Sequence, residues 1–127
     1  IRTADALGLD GAIFCKSCDV YNPKAIRSTM GAIFRIPVYR NVEKEELLEA
    51  LNEAGLKSYA AVVNNAERDV KRIDFSKGGA VFIGNEGNSE TAMECSERIT
   101  IKMSGNAESL NAAMAAGIIM WELMRFD

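Results

Sequence analysis

Short apolar runs that alternate with helical segments constrain the fold of this chain more than any other feature of its sequence. The runs read AIFC, SYAAVV, GGAVFIG and ITI, and each has the length of a buried strand. The clearest helical pattern between them, EKEELLEALNEAG, ends at Gly55 and forms one apolar stripe of Leu47, Leu48, Leu51 and Ala54. Continuous apolar strands separated by helices predict an α/β fold with a mostly parallel sheet flanked by helices.

Weaker signals predict the elements of the first third of the chain. IRTADALG is typical of the end of a helix, with Gly8 as its C-terminal stop. The segment NPKAIRSTMGAIF predicts a helix that starts at Pro23, behind the capping residue Asn22. RIPVYR alternates like a strand, and Pro37 within it favours an edge position.

The last helical pattern, in MSGNAESLNAAMAAGIIMWEL, combines a polar start with very small residues. We expect this helix to begin near Ser109, and its small residues between Ala112 and Gly117 allow another backbone to approach closely. Its second half is apolar nearly all round and must be buried. In so small a domain, this indicates burial partly by a second subunit.

Length, charge and hydropathy bound the class of protein. The 127 residues predict one domain with its own core, spanning residues 1–127, and no apolar run reaches the length of a membrane helix. We therefore expect a cytoplasmic protein. The net charge is −3, yet residues 1–40 hold six Lys or Arg and three Asp, which is compatible with a locally basic surface on an acidic protein.

The cysteine and histidine counts restrict the chemistry. The sequence contains no histidine, which excludes Ser-His and Cys-His nucleophile schemes. Its three cysteines include one CxxC, from Cys15 to Cys18, and a zinc site would need further ligands. We therefore expect no metal site and ordinary reduced thiols, with a CxxC redox protein as an alternative.

Three polar loops follow three of the predicted strands. NNA follows VV, GNEGNSE follows VFI, and KMSGNAESLN follows ITI. Ligands of parallel α/β sheets bind at the carboxyl ends of the strands, so these loops predict a small-molecule pocket. GNEGN has neither the Gly-Lys-Ser/Thr of a P-loop nor the G-x-G-x-x-G of a dinucleotide site, which disfavours a phosphate-rich cofactor.

Read together, these segments resemble the SpoU/TrmH family of RNA ribose 2′-O-methyltransferases, in the SPOUT class of α/β-knot enzymes. IRTADALG resembles the second half of the first family motif, IGNEGN the second motif, and ITIKMSGNAESLNAAMAAG the third. The three occur in the family's order and spacing and span essentially the whole chain. The third is long and distinctive, and the combination is specific.

The resemblance implies a fold and a cofactor. It implies a deep C-terminal trefoil knot, in which the small residues of the last helix pack where the chain passes closest to itself. It also implies S-adenosylmethionine as the methyl donor, held mainly by backbone groups of the three loops. Carried over by position, the cofactor-binding residues are Gly84, Ile101 and Leu110, with Val63, Asn64 and Met103 as neighbours.

The resemblance also assigns the catalytic residues Arg2, Glu86, Ser109 and Asn111. A guanidinium with a pKa above about 12 is a poor base. We therefore expect Arg2 to bind the adjacent phosphate and to stabilise the developing alkoxide, while Ser109 and Asn111 orient the ribose.

The implied partners are tRNA or rRNA and a second copy of the chain. RNA would contact basic residues of the first third, Lys24, Arg27, Arg35 and Arg40, largely through phosphates. The family's first motif begins with a strand and an Asn ahead of the Arg, and neither precedes Arg2 here. We expect the domain to lack them, and a non-catalytic RNA-binding or dimerisation module is therefore a further alternative.

Overall fold

The computed structural model describes residues 1–15, 21–84, 89–106 and 109–125. The chain divides into two compact units, Ile1–Leu47 and Leu48–Asp127, and helix α3 contains the boundary between them. Each unit carries its own parallel sheet. The predicted α/β class with parallel strands is therefore confirmed.

The first unit pairs two short strands and packs helices beside them. Its elements are α1 (Arg2–Ala6), β1 (Ala12–Phe14), α2 (Pro23–Ser28), a 3₁₀ turn (Ala32–Phe34), β2 (Val38–Arg40) and the start of α3 (Lys44–Glu53). Strand β1 is parallel to β2, with Ile13 opposite Tyr39.

Capping and backbone geometry explain where α2 begins and ends. The Asn22 side-chain oxygen accepts a hydrogen bond from the Ala25 N–H at 2.8 Å, and Pro23 is the first helical residue, as predicted. The helix ends at Ser28, shortly before Gly31. Met30 and Gly31 both adopt positive φ angles of 52° and 85°, which a right-handed helix does not accommodate.

The second unit contains a four-stranded parallel sheet in the order β4-β6-β3-β5. Its elements after α3 are β3 (Ser58–Ala61), β4 (Arg68–Asp69), a 3₁₀ turn (Val70–Arg72), β5 (Ala80–Phe82), α4 (Ser89–Glu94), β6 (Glu97–Thr100) and α5 (Ala112–Met124). Strands β3, β5 and β6 correspond to predicted apolar runs. The two-residue edge strand β4 was not predicted, because its charged sequence carries no strand signal.

One hydrophobic cluster holds this unit together. Its buried members are Tyr59, Val70, Ile73, Phe75, Ile99 and Ile119, drawn from β3, the 3₁₀ turn and the segment after it, β6 and α5. The Tyr59 and Phe75 rings meet edge to face with centroids 5.0 Å apart. The apolar middle of the sheet is buried in this cluster. The polar loops follow the carboxyl ends of the parallel strands and therefore lie at that edge of the sheet.

Gly79 permits the close approach of β5 to β3. Its φ is 136°, and a Cβ at this position would lie 2.7 Å from the Lys57 carbonyl oxygen. The next residue, Ala80, donates its N–H to that same oxygen at 3.1 Å. A side chain at position 79 would therefore separate the two strands.

Two expectations about the helices need correction. Helix α5 begins at Ala112 rather than near Ser109, because Asn111 is extended and its side-chain oxygen caps the Met114 N–H at 2.8 Å. Ala54, expected in the apolar stripe of α3, lies beyond the end of that helix and is exposed, whereas Leu51 is buried.

In the described parts of the chain, no helix is both long enough and apolar enough to span a membrane.

Candidate functional site

A cleft opens in the second unit where β3, β5 and β6 end. It encloses about 550 Å³ of empty space, part of it continuous with solvent. The segments that leave the three strands form most of its wall, and α5 with the residue before its cap completes it. The lining residues are Ala61, Val62, Val63, Ile83, Gly84, Thr100, Ile101, Met103, Leu110, Ala112, Ala115 and Ile119.

Small residues on α5 give the cleft its depth. Ala112, Ala115 and Ile119 lie three and four residues apart, so they share one face of the helix, and all three line the cleft. Ile119 is buried at the base and also belongs to the hydrophobic cluster. The methyl side chains of the two alanines leave open space that larger residues would occupy.

Gly84 presents bare backbone to the cleft. It has a φ of 103°, and a Cβ built on it would meet no atom of the described residues within 4 Å. Because glycine has no side chain, a ligand can approach its peptide groups closely. Glu86, two residues further on, lies outside the described residues.

The Asn65 side chain ties two walls of the cleft together. Its amide nitrogen donates to the Met103 carbonyl oxygen at 3.0 Å, and its amide oxygen accepts from the Met103 N–H at 3.3 Å. Beside it, the Asn64 N–H approaches the buried Thr100 hydroxyl oxygen at 3.5 Å. The loop after β3 thus holds the segment after β6.

Five of the six residues predicted to bind a cofactor line this one cleft: Val63, Gly84, Ile101, Met103 and Leu110. Asn64 is not among the lining residues. Its side-chain oxygen accepts from the Ala66 N–H at 3.0 Å and so stabilises the turn that follows β3. The assignment of all six to cofactor binding stays a prediction.

The predicted catalytic residues lie in different parts of the chain. Ser109 and Asn111 are exposed and flank the lining residue Leu110, directly before α5. The Asn111 side-chain oxygen caps the helix, which leaves its amide N–H groups available as donors. Arg2 is exposed on α1 in the first unit.

Several lining residues were not predicted. Ala61 and Thr100 are the last residues of their strands, and Val62 and Ile83 follow β3 and β5 directly. The rule for parallel sheets identifies such positions once the strand ends are known. Asn65 was not predicted either. Its sequence neighbours indicate only a turn, and no local signal connects it with Met103.

The basic residues predicted to bind RNA all lie in the first unit and are exposed. Lys24 and Arg27 belong to α2. The Arg35 guanidinium forms an ion pair with the Asp5 carboxylate at 2.8 Å, which partly neutralises its charge. The Arg40 guanidinium stacks over the Tyr21 ring, 4.7 Å from its centroid.

The cysteine environment disfavours redox chemistry. Burial and the nearby carboxylates of Glu43 and Glu45 raise the pKa of the Cys15 thiol, and the Lys44 ammonium opposes them. Reactive cysteines have lowered pKa values, so this shift has the opposite sign. Cys18 lies outside the described residues, and Cys95 is buried. Within the described ranges, no group of three His, Cys, Asp or Glu residues could hold a metal ion.

Comparison with known proteins shows that the chain is similar to RNA methyltransferases. The sequence profile of the SpoU rRNA Methylase family matches residues 1–121. The chain is 37% identical to a 23S rRNA (uridine(2479)-2′-O)-methyltransferase of Streptomyces viridochromogenes, over 98% of this chain and 46% of that protein. It is 35% identical to a 23S rRNA (guanosine(2553)-2′-O)-methyltransferase of Bacillus subtilis, over 97% of this chain and 50% of the relative.

A solved structure shows the same architecture. The SpoU methyltransferase AviRb of Streptomyces viridochromogenes, in complex with AdoMet, superposes with a TM-score of 0.84 and 35% sequence identity, over 98% of this chain and 52% of that one. The chain therefore spans about half the length of the relatives it matches.

Proposed function

The chain belongs to the SpoU rRNA Methylase family, and we propose that it transfers the methyl group of S-adenosylmethionine to a ribose 2′-hydroxyl of rRNA or tRNA. The observation that carries this proposal is the convergence of the second- and third-motif segments on one cleft. Gly84 ends one wall, Ile101 and Met103 form another, and Leu110 completes the site beside α5.

The lining of the cleft suits a nucleoside-containing cofactor. Most lining side chains are apolar and can cover the adenine and ribose faces, while the buried Thr100 hydroxyl and the peptide groups around Gly84 provide polar contacts. When bound, S-adenosylmethionine supplies an electrophilic methyl group attached to a positively charged sulfur.

The chain's own residues position the ribose. With the cofactor bound, the ribose 2′-oxygen would accept the methyl group, S-adenosylhomocysteine would be released, and the hydroxyl proton would pass to water. Asn111 and Ser109, exposed directly before α5, orient this hydroxyl. Arg2 binds the neighbouring phosphate and stabilises negative charge that develops on the oxygen, and Glu86 assists. These four roles are part of the proposal.

The RNA contacts lie on the basic side chains of the first unit. Lys24 and Arg27 are exposed on α2, and the exposed Arg40 guanidinium lies over the Tyr21 ring. Ion pairing with Asp5 reduces the expected contribution of Arg35. Because these contacts are to phosphates, we expect RNA affinity to fall steeply with salt. We place this activity in the cytoplasm, where rRNA and tRNA are available.

The exposed side of α5 supports a homodimer. Met114 and Trp121 lie seven residues apart on the same face of the helix and are 56% and 65% exposed. The sequence predicts that the second half of α5 is buried partly by a second subunit, and this face is not covered by the described part of the chain. We propose that a second copy covers it. The trefoil knot likewise remains a prediction from the family resemblance.

Transfer of tritium from methyl-labelled S-adenosylmethionine tests the activity. The purified chain is incubated with bulk rRNA or tRNA, and the RNA is digested to identify 2′-O-methylated nucleosides. We expect Arg2→Ala to lower the rate about 100-fold, whereas Arg72→Ala, which removes an exposed arginine of the second unit, leaves it unchanged. An unchanged rate for Arg2→Ala removes the role assigned to Arg2.

The same assay separates the proposal from a non-catalytic module. A module that has retained the cleft binds S-adenosylhomocysteine in a calorimeter but labels neither RNA class. The CxxC redox alternative receives no support from Cys15, since the pKa of its thiol is raised. Labelled 2′-O-methylated nucleosides that depend on Arg2 support the enzyme.

A further inference from the structure

The segment between β6 and α5 satisfies its backbone through a side chain. Met103 lies in irregular structure after β6, and within the described residues its N–H and C=O form no backbone hydrogen bond. The Asn65 amide supplies both partners, donating to the Met103 carbonyl oxygen at 3.0 Å and accepting from the Met103 N–H at 3.3 Å. A side-chain amide has the donor and acceptor of a peptide group, and here it replaces a strand partner.

This paired contact fixes orientation as well as position. A single hydrogen bond leaves the Met103 backbone free to rotate about it. Hydrogen bonds from one planar amide to both the N–H and the C=O of Met103 restrict that rotation. Because Met103 and Ile101 line the cleft, their orientation shapes the wall that a ligand meets. Asn65 itself is exposed and is not a lining residue, so it acts through Met103.

Hydrogen bonds of the preceding residues fix the position of Asn65. It follows β3 closely, and Val62 continues the sheet by donating its N–H to the Ile99 carbonyl oxygen at 2.9 Å. Asn64 then turns the chain through its hydrogen bond from Ala66. The loop that follows β3, an internal strand of the sheet, thus carries the Asn65 amide to the irregular segment after β6.

We propose that Asn65 is a positioning residue that holds the Met103 wall of the cleft in the conformation that binds the cofactor. The inference rests on the proposed function, because it assumes that the cleft takes S-adenosylmethionine. Without Asn65, the segment after β6 samples conformations that do not bind, and the apparent affinity falls by the fraction of time spent in them.

Calorimetry with S-adenosylhomocysteine tests the inference without requiring methyl transfer. We expect Asn65→Ala to weaken binding about ten-fold, the effect of losing the net contribution of two hydrogen bonds. Asn52→Ala is the matched control, since Asn52 is an exposed asparagine on α3, and it should bind as the unsubstituted chain does. Unfolding temperatures are recorded for each variant, and binding is measured well below the lowest of them.

Asn65→Asp separates positioning from a general loss of stability. The carboxylate still accepts from the Met103 N–H, but it cannot donate and repels the Met103 carbonyl oxygen. We expect weak binding at neutral pH that recovers, relative to the unsubstituted chain at the same pH, as the solution approaches the Asp pKa of about 4. A protonated carboxyl group donates again, and a merely structural role does not produce this recovery.

The outcomes are distinguishable. If the unsubstituted chain binds S-adenosylhomocysteine and Asn65→Ala binds it equally well, the inference is overturned and the proposed function stands. The inference is also overturned if Asn65→Asp binds weakly at every pH and its unfolding temperature is lowered to a matching extent. If the unsubstituted chain does not bind this ligand, the proposed cofactor is wrong and the inference fails with it.

Discussion

The side-chain oxygen of Asn111 accepts a hydrogen bond from the Met114 N–H at 2.8 Å, so the residue that we assign to the ribose also begins α5. The two tasks use different atoms of one amide. Its oxygen caps the helix, and its nitrogen remains available to donate to a substrate oxygen. Stability and catalysis at this position are therefore separable by mutation.

Substitution of Asn111 should separate these two roles. Asn111→Asp preserves an N-cap acceptor and should change the free energy of unfolding by less than about 0.5 kcal/mol, whereas Asn111→Ala should lower it by about 1 kcal/mol. Both variants lack the amide donor and should lose methyl transfer to a similar extent. Urea unfolding and the tritium assay measure the two effects. Full activity in Asn111→Asp would remove the ribose contact from our mechanism.

Filling the cleft from α5 should block the cofactor. Ala115 lines the cleft, so Ala115→Leu places extra carbon atoms where we expect the ligand, and S-adenosylhomocysteine affinity should fall at least about ten-fold. Ala113→Leu is the control, because Ala113 is exposed on the same helix and does not line the cleft. Calorimetry on the two variants provides the comparison. Equal affinities would show that the ligand binds elsewhere.

Removing the exposed indole of α5 should weaken self-association. Trp121 is 65% exposed, and buried tryptophans are frequent hot spots whose loss costs about 2 kcal/mol or more. Trp121→Ala should therefore raise the dimer dissociation constant about 30-fold, as measured by sedimentation equilibrium. Met93→Ala removes a 75% exposed apolar side chain from α4 and should have no effect. A concentration of 100 μM is roughly a thousand-fold above a typical sub-micromolar dissociation constant, so the chain should be dimeric there. A monomeric unsubstituted chain at that concentration would contradict the proposed dimer.

Tyr59 should make the second unit sensitive to high pH. Burial, followed by the Glu97 carboxylate, raises the pKa of its phenol above the ordinary value of 10.0, against smaller opposing effects of Lys57 and Arg68. In the pH range just above 10, the folded chain therefore keeps this proton, whereas the unfolded chain has lost it. Stability from this group is fully present below pH 10 and is lost as the pH rises above it.

Tyr59→Phe tests this pH dependence. The variant should unfold at nearly the same urea concentration as the unsubstituted chain at pH 7 and should lose less stability between pH 9 and 11. Phenylalanine keeps the edge-to-face contact with Phe75 and does not ionise. Parallel loss of stability in the two proteins across that range would assign the effect to other groups.

Sequence patterns predicted most of the elements because those elements depend on local signals. Asn22 and Pro23 mark the start of α2, Gly55 with φ 72° follows α3, and the apolar runs coincide with β1, β3, β5 and β6. The patterns failed where a contact distant in sequence decides the outcome. Strand β4 exists because Arg68 and Asp69 pair with Ile99 and Thr100 of β6.

The residues of the candidate site were also predicted only in part. The rule that ligands bind at strand ends, together with the family motifs, selected Val63, Gly84, Ile101, Met103 and Leu110, and all five line the cleft. Asn64 was selected and Asn65 was not, although it is Asn65 that contacts Met103. Adjacent asparagines in a turn have nearly the same local signals, and they differ in the direction that each side chain takes.

The sequence by itself determined the alternating helices and strands, their caps and the family motifs, because each depends on residues within a few positions of one another. Only the tertiary structure decided the strand order β4-β6-β3-β5, and with it which loops share a cleft. The Asn65–Met103 contact joins residues 38 positions apart, and both hydrogen bonds exist only because β3 and β6 are neighbours in the sheet. Packing of the apolar strands and α5 against one another brings these distant polar groups together, since burial favours one arrangement of the sheet over its alternatives.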